Sequence, residues 1–255
     1  MVSSTGLGGY DPELFAQLAS VEEKSFWFRA RNRLIVGLAS NLTRPGDQFL
    51  EIGCGTGYVL EAIVRECGLR ATGGELYAEG LEHARRRVPE AEFVQLDART
   101  MAYDQAFDLV GAFDVLEHID DDVGVLRRLH RAVRPGGSAL FTVPQHPWLW
   151  SAADDHAHHV RRYTRVELVD RVSRAGFTPV RVTSFVMSLL PAMALSRWCQ
   201  RRSRRWRDPM AELNLPTPLD RVLQKILDGE GFLIRRGLDL PMGGSLVLVA
   251  RREPE

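Results

Sequence analysis

The chain has 255 residues, with 33 Lys and Arg against 33 Asp and Glu, so it carries no net formal charge and no global field that would recruit nucleic acid. Its length suits one large α/β domain with a substantial insertion better than two independent domains, and it allows a full core. Cys54, Cys67 and Cys199 lack C-x-x-C spacing, which argues against a disulfide scaffold or a cysteine zinc site and predicts a reducing, cytoplasmic setting.

Met1 to Tyr10 is rich in Gly and Ser and lacks the charged and apolar regions of a signal peptide, so none is expected. Asp11 can cap a helix with Pro12 at its first position and Leu14, Phe15 and Leu18 on its buried face. A second helix spans Phe26-Trp27-Phe28-Arg29-Ala30-Arg31 to Ile35, with Phe28, Arg31 and Ile35 on one face. Aromatic packing on a core with arginines outside accounts for that composition as well as a ligand does. Pro45-Gly46 turns the chain into a strand, Phe49 to Ile52, which ends in Gly53, Gly55 and Gly57 before a helix marked by Val59, Leu60, Ile63 and Val64. Three alternate glycines permit positive φ and close backbone approach, and the helix start directs free N–H groups at the loop. That is a nucleotide-type cofactor site. Its third glycine comes one residue earlier than in the dinucleotide fingerprint G-x-G-x-x-G, which disfavours a nicotinamide oxidoreductase.

Glu51-x-Gly53-x-Gly55-x-Gly57 resembles motif I of the class I S-adenosylmethionine (SAM) methyltransferases, and Phe-Trp-Phe-x-x-Arg is similar to a helix that closes over the cofactor in many small bacterial members. The resemblance implies SAM as cofactor, released as S-adenosylhomocysteine, with Glu51, Gly53, Gly55 and Gly57 around it. Strand and helix then alternate as in an α/β fold: a Rossmann-like, mostly parallel seven-stranded sheet with helices on both faces. The expected division is a helical cap over 1–47, the SAM domain over 48–186 and 244–252, and a helical lid insertion over 187–243.

The second strand, Arg70 to Leu76, ends in Glu75; the third, Ala91 to Leu96, precedes Asp97; the fourth, Phe107 to Phe113, precedes Asp114. Ligands of such sheets sit beyond the carboxyl ends of the strands. Glu75, about twenty residues past the glycines, is placed to accept from both ribose hydroxyls. By resemblance Asp97 and Ala98 form the adenine site. Each acid alone could equally be a solvated strand end. Asp114-Val115-Leu116-Glu117-His118-Ile119 resembles the family segment that faces the departing methyl group. His118 there is either a general base or a structural histidine. Asp114, Glu117 and His118 are also metal-ligand types, and some relatives with Glu-x-x-Glu-His at this place bind a divalent ion. Asp in place of the first Glu shortens the reach, and no metal is expected.

Asp120-Asp121-Asp122 opens a helix carrying Val125, Leu126, Leu129 and Val133, and Pro135-Gly136-Gly137 leads to a fifth strand, Ala139 to Val143. The loop from Gln145 to Thr164 holds four of the seven histidines, with arginines and Tyr163 suited to proton transfer and to an anionic substrate group. His118 and His159 are the candidate bases and Tyr163 a candidate orienter; His146, Trp148, Arg161 and Arg162 are candidate substrate contacts. Trp150, Ser151, Asp154, His159, Arg161, Arg162, Tyr163 and Thr164 match a run that recurs in one branch of these methyltransferases.

Thr164 caps a further helix, the sixth strand runs from Phe177 towards Phe185, and the last is Ser245 to Ala250. Between them an apolar stretch, Phe185 to Leu195, is too short to span a membrane. It precedes an Arg- and Trp-rich stretch, Arg197 to Arg207, containing Arg201, Arg202, Arg204 and Arg205, which could pair with Asp208, Glu212 and Asp220. Leu219, Val222, Leu223, Ile226 and Leu227 form a stripe expected to pack against the first segment. The lid is expected to receive an apolar or anionic small-molecule acceptor, or to rest on an anionic membrane surface. A SAM-dependent methyltransferase follows, with no nucleic-acid partner; the alternatives are a SAM-binding protein that transfers nothing and an enzyme for a lipid-linked substrate at the membrane.

Overall fold

The computed structural model describes residues 13–202 and 215–254, with side chains over 15–199 and 215–254. Asp11, Pro12, Arg204, Arg205, Asp208 and Glu212, and the side chains of Leu14, Arg201 and Arg202, lie outside the described residues. The chain runs α1 Glu13–Glu22, α2 Phe26–Ala39, β1 Gln48–Ile52, α3 Tyr58–Cys67, β2 Arg70–Glu75, α4 Ala78–Arg87, β3 Glu92–Gln95 and β4 Phe107–Phe113. It continues α5 Asp122–Ala132, β5 Val133–Pro144, α6 Ala152–His156, α7 Arg165–Arg174, β6 Thr178–Phe185, α8 Leu190–Arg202, α9 Thr217–Arg235 and β7 Ser245–Arg251.

The seven strands form one sheet in the order β3-β2-β1-β4-β5-β7-β6. β1 to β5 are parallel, and β7 inserts antiparallel between β5 and β6. Side chains alternate across a strand, so both faces of this sheet must be covered. Phe49, Leu109, Leu140 and Val247 face a core completed by α2, α3 and α9. Leu50, Val110, Phe141 and Leu248 face the other core, completed by α5 and α7. Local signals agree with these ends: Thr164 accepts from Glu167 N as the cap of α7, and Asp121 accepts from Gly124 N as the cap of α5.

The insertion departs from expectation. α9 packs along α2: Asp220 accepts from Phe26 N at 2.6 Å and pairs with Arg29, and Arg33 Nη2 lies 2.6 Å from Asp228. Asp220 is therefore paired with α2, and the side chains of Arg201, Arg202, Arg204 and Arg205 lie outside the described residues. The stripe is split, because Leu227 is buried against Leu34 and its neighbours while Leu219, Val222 and Ile226 are exposed. The acids of α9 and the basic residues of α2 lie opposite one another, and that decides which helix α9 meets. Among the described residues no helix is long and apolar enough to cross a membrane.

Ser25 makes no side-chain cap, so Asp220 supplies the acceptor at the start of α2. Asp220→Ala orphans a buried N–H and removes the carboxylate partner of Arg29, which keeps Gln224 and the Glu23 carbonyl, and should lower stability by about 1–3 kcal/mol. The exposed pair in Asp228→Ala should cost under about 1 kcal/mol. Urea midpoints at a common slope check both; equal losses would contradict the capping role of Asp220.

Candidate active site

β1 lies between β2 and β4, so the connections on its two sides leave towards opposite faces of the sheet and a crevice opens at the carboxyl ends. A cavity of about 1060 Å³ fills this crevice, lined by the glycine loop, by the ends of β2, β3 and β4, and by Trp27, Phe28, Val186, Leu189 and Met193 above them. It is large enough for two small ligands side by side.

Gly53, Gly55 and Gly57 all have positive φ, at 66°, 53° and 79°. They face different neighbours. A Cβ on Gly55 would meet nothing within 4 Å among the described residues, so this glycine borders open cavity, whereas a Cβ on Gly57 would lie 3.1 Å from Ala84 of α4. Gly57 serves helix packing, and the structure leaves it out of the cavity lining. Glu75 accepts from Gly55 N through one oxygen and from Tyr77 N through the other, both at 3.0 Å, and so shapes the loop from below. Burial raises its carboxyl, against the lowering effect of those backbone donors. Glu51 sits deeper with one oxygen unpartnered, and burial holds it well above the usual carboxylate range, partly offset by Arg31. Asp97 lines the far end beside Ala98, its carboxylate gripped by the Nε and Nη2 of Arg99, whose hydrogen bonds lower it.

The cap is tied down by buried charges. Arg31 of α2 reaches the carboxylate of Asp114 at 2.7 Å, with its guanidinium over the Trp27 ring. Asp114 adopts φ 57° and also accepts from Thr142 Oγ1. Glu22, at the end of α1, accepts from Thr56 Oγ1 and pairs with Arg87 at 2.9 Å, which fixes α1 over the glycine loop. Neither Arg31 nor Glu22 was singled out as a site residue from the sequence. Arg31 was legible as one face of the helix, but nothing local to Glu22 marks it.

Opposite the glycine loop, Glu117, His118 and His159 converge. Val160 N donates to the Glu117 carbonyl at 2.8 Å and draws the loop after β5 onto the turn after β4. The His118 and His159 rings meet edge to face at 4.7 Å. His159 Nδ1 is 2.8 Å from Asp154 Oδ1, and its Nε2 faces Glu117 Oε1 at 3.9 Å. Asp154 also receives Arg162 Nε and Nη2 and the Ser151 backbone N–H. Burial would raise its carboxyl, but the hydrogen bonds from His159 and Arg162 overcome it and hold it well below the usual range. Glu117 is fully buried, neither oxygen has a hydrogen-bond partner among the described residues, and burial, reinforced by the charge of Asp114, raises it strongly. Burial and the neighbouring His159 push His118 down to about 4.

Several expected contacts fall elsewhere. Tyr163 is 1% exposed, its hydroxyl 2.7 Å from Asp122 Oδ2 and 3.1 Å from the Leu116 carbonyl, so it braces the Glu117 turn from within the core and does not face the cavity. Arg161 pairs with Asp122 at 2.8 Å, behind that turn. Trp148 and His146 stack on each other outside the cavity lining. Arg162 does line the cavity, but its charge is already met by Asp154. The charge of Arg161 and Arg162, expected to meet an anionic substrate group, is therefore neutralised by two buried acids.

The family described as "Methyltransferase domain" matches residues 22–182. The chain belongs to that family. A ubiquinone biosynthesis O-methyltransferase of Sodalis glossinidius (strain morsitans) is 32% identical over 124 residues, covering 46% of this chain and 49% of that protein. The chain thus spans about half the length of such curated relatives. A solved geranyl diphosphate methyltransferase in complex with SAM superposes with TM-score 0.60 at 17% identity, covering 98% of this chain and 93% of that one. The [4+2]-cyclase SpnF superposes with TM-score 0.60 at 20% identity, covering 90% and 84%. At these identities the solved structures establish a shared fold, and the cyclase carries a different chemistry in its name.

Glu51 gives this methyltransferase domain a measurable pH signature. A carboxyl raised in the folded state contributes most below its unfolded pKa, about 4.3, and loses that contribution as pH rises through the folded value. Glu51→Gln removes the burden of a buried ionisable group. Cofactor-free melts should show the variant more stable than the parent at pH 8, with the gap closing as pH falls towards 4.5. A gap independent of pH would contradict the raised carboxyl.

Proposed function

We propose that this protein transfers a methyl group from SAM to a hydroxyl of a small, largely apolar acceptor and releases S-adenosylhomocysteine. The observation that carries this reading is the meeting, in one cavity, of the glycine loop with Glu75 and Asp97 on one side and the Glu117–His118–His159 corner on the other. The O-methyltransferase name of the curated relative supports an oxygen nucleophile.

In this reading the backbone at Gly53 and Gly55 takes the methionine part of SAM, with Glu51 behind it. Glu75 receives the ribose hydroxyls, and Asp97 with the Ala98 backbone receives the adenine. Asp114 sits beside the transfer point, held by Arg31. Methyl transfer is an in-line displacement, so the protein's main work is to align sulfonium, methyl and nucleophile and to exclude water. The cap over 1–47 and the lid over 187–243 supply that exclusion through Trp27, Leu189 and Met193. An apolar acceptor fits these walls better than an anionic one, because Arg161 and Arg162 are already paired. A cytoplasmic setting fits the three free cysteines.

A hydroxyl nucleophile must also lose its proton, and that step is assigned to the Glu117–His118–His159 corner. A histidine pushed down to about 4 is a weak proton acceptor at neutral pH, which makes His118 the poorer candidate. His159 is the better one, since Asp154 fixes its ring with Nε2 turned into the corner. Tyr163 contributes by holding the turn.

Gly55→Ala places a methyl group in open cavity and should weaken SAM binding at least about tenfold by titration calorimetry, a change of about 1.4 kcal/mol. Gly57→Ala should instead lower thermal stability and leave SAM affinity closer to wild type; the reverse ranking would remove the cofactor from the loop.

His159→Ala should reduce turnover to S-adenosylhomocysteine by about 10²–10⁴ at saturating substrates with SAM affinity retained. Catechols and apolar phenols are the acceptors to assay. Tight SAM binding with no S-adenosylhomocysteine formed from any hydroxylated acceptor would favour a SAM-binding protein that transfers nothing.

A further inference from the structure

We propose that Val186 is a specificity-determining residue for the acceptor: a left-handed turn at the end of β6 holds its side chain as a wall of the acceptor half of the cavity and limits the bulk of the ring that enters. The inference rests on the proposed methyl transfer to an apolar acceptor. Sheet order places that half. The glycine loop, Glu75 and Asp97 lie at the ends of β1, β2 and β3, whereas Pro144, Ser245 and Val186 border the same cavity on the other side of β4, at the ends of β5 and β6 and the start of β7. β7 runs antiparallel, so Ser245 lies between Pro144 and Phe185. Leu189 and Met193 complete this wall from above.

The backbone of Val186 is the observation that carries the proposal. Its φ is 66°, and it is the β-branched one among the described non-glycine residues with positive φ. A branched Cβ crowds the neighbouring carbonyl in this conformation, which glycine adopts without cost. The surroundings impose it. Phe185 is still paired with Ser245 in the sheet, while Glu230 of α9, itself buried, accepts from Met187 N and Ser188 N, both at 2.9 Å. Gly243 passes so close that a Cβ there would collide with the Phe185 carbonyl oxygen. Strand pairing ends on one side of Val186 and capture by the carboxylate begins on the other, so the residue between them takes up the change of direction.

Glycine stands at Gly243 and Gly244 beside this turn, yet not at the position whose conformation favours it. What valine adds there is a branched apolar side chain at the cavity. Val186 is 4% exposed and lines the cavity with Gly244, where a Cβ would lie 3.4 Å from that of Val186 and 3.0 Å from Met193 Sδ. Strained backbone conformations persist where the surrounding structure over-determines them, and they cluster at ligand sites. A side chain fixed at its base by sheet pairing and by Glu230 does not swing aside, so a bulkier acceptor meets a rigid wall. In an apolar pocket one methylene group is worth about 10–200-fold in discrimination, which sets the scale of the effect.

The test uses the full chain with catechol and tert-butylcatechol as acceptors and compares Val186→Ala, Val186→Gly and Val180→Ala, the last at an exposed position of the same strand. Val186→Ala should raise kcat/KM for tert-butylcatechol relative to catechol by about 10–100-fold, with SAM affinity within about twofold of wild type. Val180→Ala should move neither. Val186→Gly should melt no lower than Val186→Ala, the reverse of the order at an ordinary buried position, because glycine relieves the positive φ. Both acceptors are also titrated calorimetrically with S-adenosylhomocysteine present, where the ratio of their dissociation constants should shift in the same direction. If both acceptors are turned over but Val186→Ala leaves the ratio unchanged, or if Val186→Gly is markedly less stable than Val186→Ala, the proposal is overturned and methyl transfer stands. A shifted binding ratio with no S-adenosylhomocysteine formed from either acceptor keeps Val186 as the wall and overturns the methyl-transfer reading. Wild type that binds neither compound overturns both.

Discussion

The reversal of strand order at β1 is the constraint on which the remaining features depend. With β2 on one side and β4 on the other, the chain crosses to opposite faces of the sheet, and no helix can close the gap above the carboxyl ends of these strands. The gap must be covered by chain from elsewhere. α1 and α2 come from before the sheet, α8 from between β6 and β7, and the loop with α6 from after β5; all three border the same cavity. A site built this way has rigid floor atoms, such as the Gly55 backbone and Glu75, under a roof assembled from three separate segments.

Buried ion pairs are what hold that roof in place. Removing ions from water is expensive, and a pair closes that cost only when geometry and further hydrogen bonds are good. Here Arg31–Asp114 and Arg87–Glu22 each join a roof segment to a different element, Arg162–Asp154 braces the loop after β5 internally, and each carboxylate receives at least one further donor. Specific pairing of this kind sets orientation in a way an apolar contact does not. It also removes those arginines as receivers for an anionic ligand, and the free carboxylates Glu51 and Glu117 then set the character of the cavity.

The sheet and the floor of the site were legible in the sequence because their signals are local. Strands Phe107–Phe113 and Thr178–Phe185, the glycine loop, and the acids at Glu75, Asp97 and Asp114 lie where alternation and spacing put them. The roof was less legible, because it depends on pairs far apart in the chain. Nothing near Asp220 says that it caps a helix 194 residues away, and nothing near Tyr163 says that its hydroxyl turns inward to Asp122. Arg161 and Arg162 are neighbours in sequence with separate acidic partners, so their charge could be read but not its neutralisation. Gly57 shows the same limit at short range, since its φ fits a ligand loop while its missing Cβ makes room for Ala84.

Roof and lid are also joined to each other. Asp220 and Asp228 of α9 bind Arg29 and Arg33 of α2, and Glu230 of α9 accepts from the backbone of Met187 and Ser188 just before α8. α9 therefore connects the helix carrying Trp27 and Arg31 to the one carrying Met193. A displacement of α2 would strain Asp220 and Asp228 first, and through Glu230 would reach the Met187–Ser188 backbone that leads into α8. The ordering of α2 and of the start of α8 is then one step, since segments tied together lose their freedom once.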